Sequence, residues 1–171
     1  TGLNIALGAG SDKLVLANGG NTLSMGSDIE TLVGGTGNDV ILLTDAMSGV
    51  TINLGAGSDK VTLASAVNSL TLSNVETIVG GSLTDAVVLG AALTGGSIDL
   101  GYHVDTLTLA NATNSLTVTN VETLIGVGGA DTVTLGNAVT GASIDLGGGS
   151  DKLTLASVVN FLTIANVELS L

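Results

Sequence analysis

The sequence predicts an all-β chain, a right-handed parallel β-solenoid of about seven coils in four repeats of about 46 residues. Three observations carry this expectation. First, Asn74-Val75-Glu76, Asn120-Val121-Glu122 and Asn166-Val167-Glu168 recur every 46 residues, and Asp28-Ile29-Glu30 is the first copy. Second, apolar and polar residues alternate in Asp59-Lys60-Val61-Thr62-Leu63, Asp105-Thr106-Leu107-Thr108-Leu109 and Asp151-Lys152-Leu153-Thr154-Leu155, the period of a half-buried strand. Third, clusters of Gly, Asn, Ser and Asp interrupt these runs at regular intervals, as turns require. No stretch has a helical period, and the Thr, Val and Ile content opposes helix. Right-handedness follows from the general preference of parallel crossovers.

The chain reads as a single array over residues 1–171, with repeats at approximately 1–49, 50–95, 96–141 and a partial 142–171. Loop aspartates Asp39, Asp85 and Asp131 step by 46 residues, and Asp12, Asp59, Asp105 and Asp151 step by 47, 46 and 46. Each repeat divides into two parts that run strand, Gly-rich turn, Asp. Successive aspartates therefore lie alternately about 20 and 26 residues apart, which suggests one coil per half-repeat, the longer coil carrying an extra piece such as Asn68-Ser69-Leu70-Thr71-Leu72-Ser73. Val61 and Leu63 should point inward, and Lys60 and Thr62 outward. Ile52 and Leu54, Ile98 and Leu100, and Ile144 and Leu146 repeat the pattern on a second sheet. Like residues then stack from coil to coil, giving a rod of about 33 Å at roughly 4.8 Å per coil.

Composition narrows the function. There are 26 Gly, no Pro, Cys or Trp, one Tyr (Tyr102) and one Phe (Phe161). A core without aromatics must be built from Leu, Val, Ile and Ala, which suits a narrow repetitive interior. The 44% apolar content argues against disorder. The formal charge is −12, with Lys13, Lys60 and Lys152 the only cations besides the single His. With no basic patch to meet phosphates, nucleic acid and anionic membrane surfaces are not expected partners. No apolar run is long enough for membrane insertion, and no disulfide framework is possible. No signal peptide opens the chain, so the expectation is export by another signal, or a processed or partial chain.

The surplus of carboxylates points to divalent cations. The stretch Gly34-Gly35-Thr36-Gly37-Asn38-Asp39-Val40-Ile41-Leu42 reads GGxGxDxUx, with U a large apolar residue. Its glycines reach positive φ and aim carbonyl oxygens inward, and its Asp adds a carboxylate. Calcium takes roughly six to eight oxygens, more than one turn offers, so two stacked turns would share an ion and a stack of turns would form a row. Gly8-Ala9-Gly10-Ser11-Asp12, Gly55-Ala56-Gly57-Ser58-Asp59 and Gly147-Gly148-Gly149-Ser150-Asp151 keep the GxGxD core. Gly126-Val127-Gly128-Gly129-Ala130-Asp131 keeps the fourth-position Gly and the Asp, Gly80-Gly81-Ser82-Leu83-Thr84-Asp85 loses that Gly, and Gly101-Tyr102-His103-Val104-Asp105 is the poorest copy.

On these residues the chain resembles the RTX (repeats-in-toxin) family of secreted bacterial proteins over nearly its whole length. The resemblance implies a calcium-dependent β-roll, export without a cleaved N-terminal signal, and Ca2+ as cofactor. The metal-ligating turns are then those of Gly8, Gly10 and Asp12; Gly35, Gly37 and Asp39; Gly55, Gly57 and Asp59; Asp131; and Gly147, Gly149 and Asp151. Occupancy is expected to be best around Asp12, Asp39 and Asp59 and worst around Asp85 and Asp105. The competing reading is of metal-free turns whose Asp side chains cap backbone N–H groups, with the outward lysines screening the Asp column.

Other residues read more plainly. Glu30, Glu76, Glu122 and Glu168 fit turn or capping positions, with a carboxylate ladder for ions as the alternative. Asp99 and Asp145, with Asn53 in the matching position, face outward. His103 reads as a surface substitution, since catalysis would need an orienting partner and a pocket. Thr71, Thr117 and Thr163, and a mixed line of Val15, Leu42, Thr62, Val88 and Thr108, suggest outward columns of the kind found on ice-binding solenoids, or ordinary β-propensity. An enzyme such as a polysaccharide lyase is not expected: there is no Arg, and the lysines occupy equivalent repeat positions. The chain opens at Thr1-Gly2-Leu3 in repeat register, closes at Leu169-Ser170-Leu171, and shows no cap. It is therefore expected to belong to a longer array or to stack on copies of itself, and Phe161, which replaces Ser69 and Ser115 of sibling repeats, is expected at an intermolecular contact. The expected function is structural: a calcium-stabilised, self-assembling, extracellular repeat module of a bacterial surface layer or matrix fibre. The alternative is the stalk or binding module of a secreted adhesin.

Overall fold

In a computed structural model that describes residues 3–168, the chain is an all-β parallel solenoid. The expected opening at Thr1-Gly2 and close at Leu169-Ser170-Leu171 lie outside the described residues. The first nine strands are β1 (Leu3–Ile5), β2 (Lys13–Val15), β3 (Thr22–Met25), β4 (Thr31–Thr36), β5 (Val40–Leu43), β6 (Ser48–Ala56), β7 (Lys60–Thr62), β8 (Asn68–Ser73) and β9 (Thr77–Gly81). They continue as β10 (Asp85–Leu89), β11 (Thr94–Gly101), β12 (Thr106–Thr108), β13 (Ser115–Thr119), β14 (Thr123–Ile125), β15 (Thr132–Leu135), β16 (Thr140–Asp145), β17 (Lys152–Thr154) and β18 (Phe161–Ala165). Odd-numbered strands form one nine-stranded sheet and even-numbered strands the other. Two strands thus make a coil, and the described chain runs through about eight turns.

The coil length differs from the expected alternation. In the odd sheet Ile41 pairs with Val61, Val61 with Ile78 and Ile78 with Ile98, so successive coils take 20, 17 and 20 residues. The 46-residue repeat contains five strands, from Val61 in β7 to Leu107 in β12, and therefore two and a half coils. The half-repeat of about 26 residues is one and a half coils. Its supposed extra piece, Asn68–Ser73, is the ordinary wall strand β8. Because five is odd, each sequence repeat begins on the opposite sheet from the last. Val61 and Leu63 do face inward, as do Ile52, Leu54, Ile98 and Leu100. But β6 with Ile52 lies in the even sheet, and β11 with Ile98 in the odd one.

The core follows from this alternation. Inward Leu, Val and Ile from both sheets meet in one cluster that includes Leu32, Ile41, Ile52, Leu72, Ile78 and Leu107, each fully buried. Burying a side chain of this size contributes about 1.5–3 kcal/mol. The outward faces carry short polar chains. Thr77, Ser97, Thr117, Thr134 and Thr154 stack on successive odd strands. Thr71, Thr117 and Thr163 do not form a single column, because they lie on β8, β13 and β18 and alternate between sheets. The line from Val15 to Thr108 is divided in the same way. Phe161 pairs in register with outward Thr140 and is 65% exposed. It faces outward on β18, the edge strand of the even sheet.

Candidate metal centre

Two edges run along the solenoid where the chain passes from one sheet to the other. Corners leading into the odd sheet place Asn21, Asp39, Asp59, Glu76, Leu93, Asn114, Asp131, Asp151 and Glu168 above one another. Corners leading into the even sheet place Asp12, Glu30, Met47, Asn68, Asp85, Asp105, Glu122, Val139 and Asn160. Both edges follow one five-step cycle: Asn, Asp, Asp, Glu, apolar. The single row of aspartates expected from sequence is therefore split between two edges and interrupted.

Most polar side chains in the cycle accept a backbone hydrogen bond from the coil before them; Asp85 instead accepts from Asn68 Nδ2. The Asn21 N–H donates to Asp39 Oδ1 (2.8 Å), the Asp39 N–H to Asp59 Oδ1 (2.7 Å) and the Asp59 N–H to Glu76 Oε2 (2.8 Å). On the other edge the Asp85 N–H donates to Asp105 Oδ1 (2.7 Å) and the Asp105 N–H to Glu122 Oε2 (2.9 Å). The third stack repeats it: the Asn114 N–H donates to Asp131 Oδ1 (2.9 Å), the Asp131 N–H to Asp151 Oδ1 (2.8 Å) and the Asp151 N–H to Glu168 Oε2. Asp12 donates its N–H to Glu30 Oε2 (2.7 Å). The glutamates are caps, and they also extend the carboxylate ladder. The apolar step closes the cycle: the Met47, Leu93 and Val139 N–H groups donate to Asn68, Asn114 and Asn160 Oδ1 at 3.1, 3.1 and 3.2 Å.

This ladder satisfies Oδ1 of Asp39, Asp59, Asp105, Asp131 and Asp151 and leaves their other oxygen. Oδ2 of Asp12, Asp39, Asp59, Asp105, Asp131 and Asp151 is buried and has no hydrogen-bond partner. Asp85 differs, since its Oδ2 accepts the Gly81 N–H at 3.4 Å. An unpartnered buried polar atom costs about 1–3 kcal/mol, more if charged, so each such oxygen calls for a proton or a cation. The lysines do not fill the role. Lys60 stands in an outward column between Val40 and Thr77, and Oδ2 of the preceding Asp59 remains without a partner. Burial raises the Asp59 and Asp85 carboxyls and pushes Asp105 up to about 6.

The turns beside these aspartates fit a cation. Gly55 and Gly57 have φ of 89° and 156°, Gly147 and Gly149 have 79° and 145°, and Gly8 and Gly10 have 94° and 157°. A Cβ at Gly57 would strike the Gly37 carbonyl of the turn stacked on it, and one at Gly149 the Gly129 carbonyl. Gly34 and Gly35 lie at the end of β4, so Gly35 is a strand residue paired with Gly55. Among the described residues no three His, Cys, Asp or Glu side chains converge on one point, so carbonyl oxygens of the glycine turns would have to complete any coordination sphere. Equivalent atoms of stacked strands repeat at about 4.7–4.9 Å, roughly twice a calcium–oxygen distance.

Sequence reasoning missed the asparagines. Asn114 Nδ2 donates to the Ala110 and Ala112 carbonyls (3.0 and 2.7 Å) and to Asp131 Oδ1 (2.9 Å); Asn68 makes the same three bonds, to Ala64, Ala66 and Asp85. The recurrence of Asn68, Asn114 and Asn160 every 46 residues was the available signal. Asp99, Asp145 and Asn53 face outward as expected but are engaged. Asn74, Asn120 and Asn166, at φ of 53°, 52° and 51°, donate to them at 2.8, 2.7 and 2.6 Å. In the first copy Ala6 stands in the matching position and offers no acceptor. There Asp28 replaces the Asn, and its Oδ2 accepts the Leu7 and Gly8 N–H groups directly at 2.6 and 3.0 Å. The Gly8 bond is the chief cause that holds the Asp28 carboxyl below its ordinary range. Compared with known proteins, the chain matches no family model, no curated protein and no solved structure.

Proposed function

We propose that this chain is a calcium-stabilised structural repeat module of the RTX type, exported to a bacterial surface layer or extracellular matrix, where it provides a rigid rod and self-assembles. The observation that carries the reading is the set of six buried, unpartnered Asp Oδ2 atoms beside glycine turns, in a chain of charge −12. Calcium, when bound, supplies positive charge and a demand for oxygen donors. The chain's own residues do the rest. Asp Oδ1 and Glu Oε2 hold adjacent coils in register through backbone N–H groups, the glycines let carbonyls approach, and the Leu, Val and Ile columns exclude water. Without metal the carboxylates repel one another and favour the extended chain; neutralising them couples ion binding to folding.

Far-UV circular dichroism and electron microscopy, in EDTA and then in millimolar calcium, test this. Coil converting to β-structure on calcium addition, with filaments or sheets in the same sample, is the expected result. Full β-structure of equal thermal stability in EDTA and in calcium would overturn the metal reading. β-structure that forms with calcium but remains monomeric would favour an adhesin stalk over a fibre.

A further inference from the structure

We propose that shared cations are held at only two places, between the stacked turns of Asp39 and Asp59 and between those of Asp131 and Asp151, and that the equivalent turns of Asp85 and Asp105 are closed to metal. This rests on the calcium reading above and deepens it. Because the repeat spans two and a half coils, glycine turns that end in Asp stack directly on one another only in pairs, one pair per cycle; the Gly19-Gly20 turn that packs against Gly37 ends in Asn21 and brings no carboxylate. The outer pairs lie on the edge leading into the odd sheet and the middle pair on the opposite edge. The two sites are five strand spacings apart, about 24 Å.

The outer pairs share features that suit a bridging cation. Asp39 and Asp59 are 0% and 1% exposed, Asp131 and Asp151 0% and 3%, and all four leave Oδ2 buried without a partner. Both stacked turns carry a glycine at positive φ: Gly37 at 148° facing Gly57 at 156°, and Gly129 at 104° facing Gly149 at 145°. The middle pair departs in three ways. Leu83 stands where Gly37 and Gly129 do. His103 takes the place of Gly57 and Gly149 and holds φ at 85°, so the peptide planes beside it turn differently. And Asp85 Oδ2 already accepts the Gly81 N–H, which leaves Asp105 Oδ2 the one unpartnered carboxylate oxygen of that pair. The turn of Asp12 has an unpartnered Oδ2 too, but the coil below it offers the Ser27-Asp28-Ile29-Glu30 corner, and among the described residues no glycine turn faces it. A lone turn cannot supply the six or more oxygens that calcium takes.

Equilibrium dialysis and isothermal titration of calcium into the whole chain read the number of ions directly. Two per chain are expected. Asp59→Asn and Asp151→Asn, which keep the Oδ1 acceptor, should each remove one, the double variant both, and Asp105→Asn neither. Three or more ions in the unsubstituted chain, or two ions unchanged by Asp59→Asn in a chain that circular dichroism shows folded, would overturn this distribution and leave the calcium reading standing. No uptake by the folded chain would overturn both. The count for the unsubstituted chain decides the matter even where a variant fails to fold.

Discussion

The corner of Asp39 and Asp59 and the corner of Asp85 and Asp105 are written by the same 46-residue repeat and share one backbone ladder, yet they resolve their buried charge differently. In the first, both carboxylates keep a free buried oxygen between glycine turns. In the second, one oxygen is answered by the Gly81 N–H and the other belongs to a carboxyl that burial pushes to about 6. The ladder of Oδ1 and N–H groups is structural and present in every cycle. What varies is the surroundings of Oδ2, left without a partner at the outer pairs, where we propose a cation, and answered at Asp85 of the middle pair by a hydrogen bond. The Oδ1 ladder alone registers the coils in the same way at both pairs.

The largest effect that would sharpen this contrast is on stability in calcium. Asp59→Ala removes the acceptor for the Asp39 N–H, at about 1–3 kcal/mol, and also about 2.7 kcal/mol of linkage when calcium is a hundred-fold above Kd. Asp105→Ala loses only the first. Denaturant melts of both variants should separate them at calcium a hundred-fold above Kd and bring them together as calcium falls toward Kd; equal losses at high calcium would break the comparison.

Backbone strain comes next. Gly57→Ala meets the Gly37 carbonyl at a φ of 156° and should destabilise by about 1–3 kcal/mol. His103→Gly releases a side chain from φ of 85° and should stabilise by about 0.5–1 kcal/mol, since relief of strain exceeds the added freedom of the unfolded chain. Thermal melts with opposite signs are expected.

The pH dependence has a definite sign. Asp105 titrates near 6 when folded and near an ordinary 3.8 when unfolded, so the folded chain binds the extra proton between those values. Stability should be greatest below about 4 on this account and fall as pH rises through 6. In calcium the effect should persist, because Asp105 holds no metal, and Asp105→Asn should flatten it. Melting temperature against pH checks this, and an unchanged profile in Asp105→Asn would assign the titration elsewhere.

The smallest effect concerns the outward caps. Asn53→Ala leaves Asn74 Nδ2 and the Gly55 N–H without their partner, at about 0.5–1 kcal/mol. Adding Asn74→Asp should recover most of it by copying the arrangement of Ala6 and Asp28. A double variant no better than Asn53→Ala in a urea melt would show that Asp28 compensates for something else.

How much of this the sequence discloses depends on the scale. Strand character, inward Val61 and Leu63, and the recurrence of the aspartates follow directly from local pattern, because burial on one face forces alternation. The weakness of the Asp85 and Asp105 turns is likewise visible in Leu83 and His103. Coil phase is harder. The corner Ser73-Asn74-Val75-Glu76 turns the chain in very few residues by using an Asn at φ of 53°, and without a glycine it does not announce itself as a turn. Counting only glycine turns hides the other corners, merges one and a half coils into one, and places Thr71, Thr117 and Thr163 in a column they do not form. The asparagine bonds to Ala64 and Ala110 carbonyls depend on how corners stack, which no single segment encodes.

The most direct test is a crystal structure of the calcium-loaded chain with anomalous data collected for calcium. Two peaks are predicted on one edge, between Asp39 and Asp59 and between Asp131 and Asp151, with none at Asp85 and Asp105. A peak at the middle pair, or a continuous row of peaks along either edge, would contradict the account.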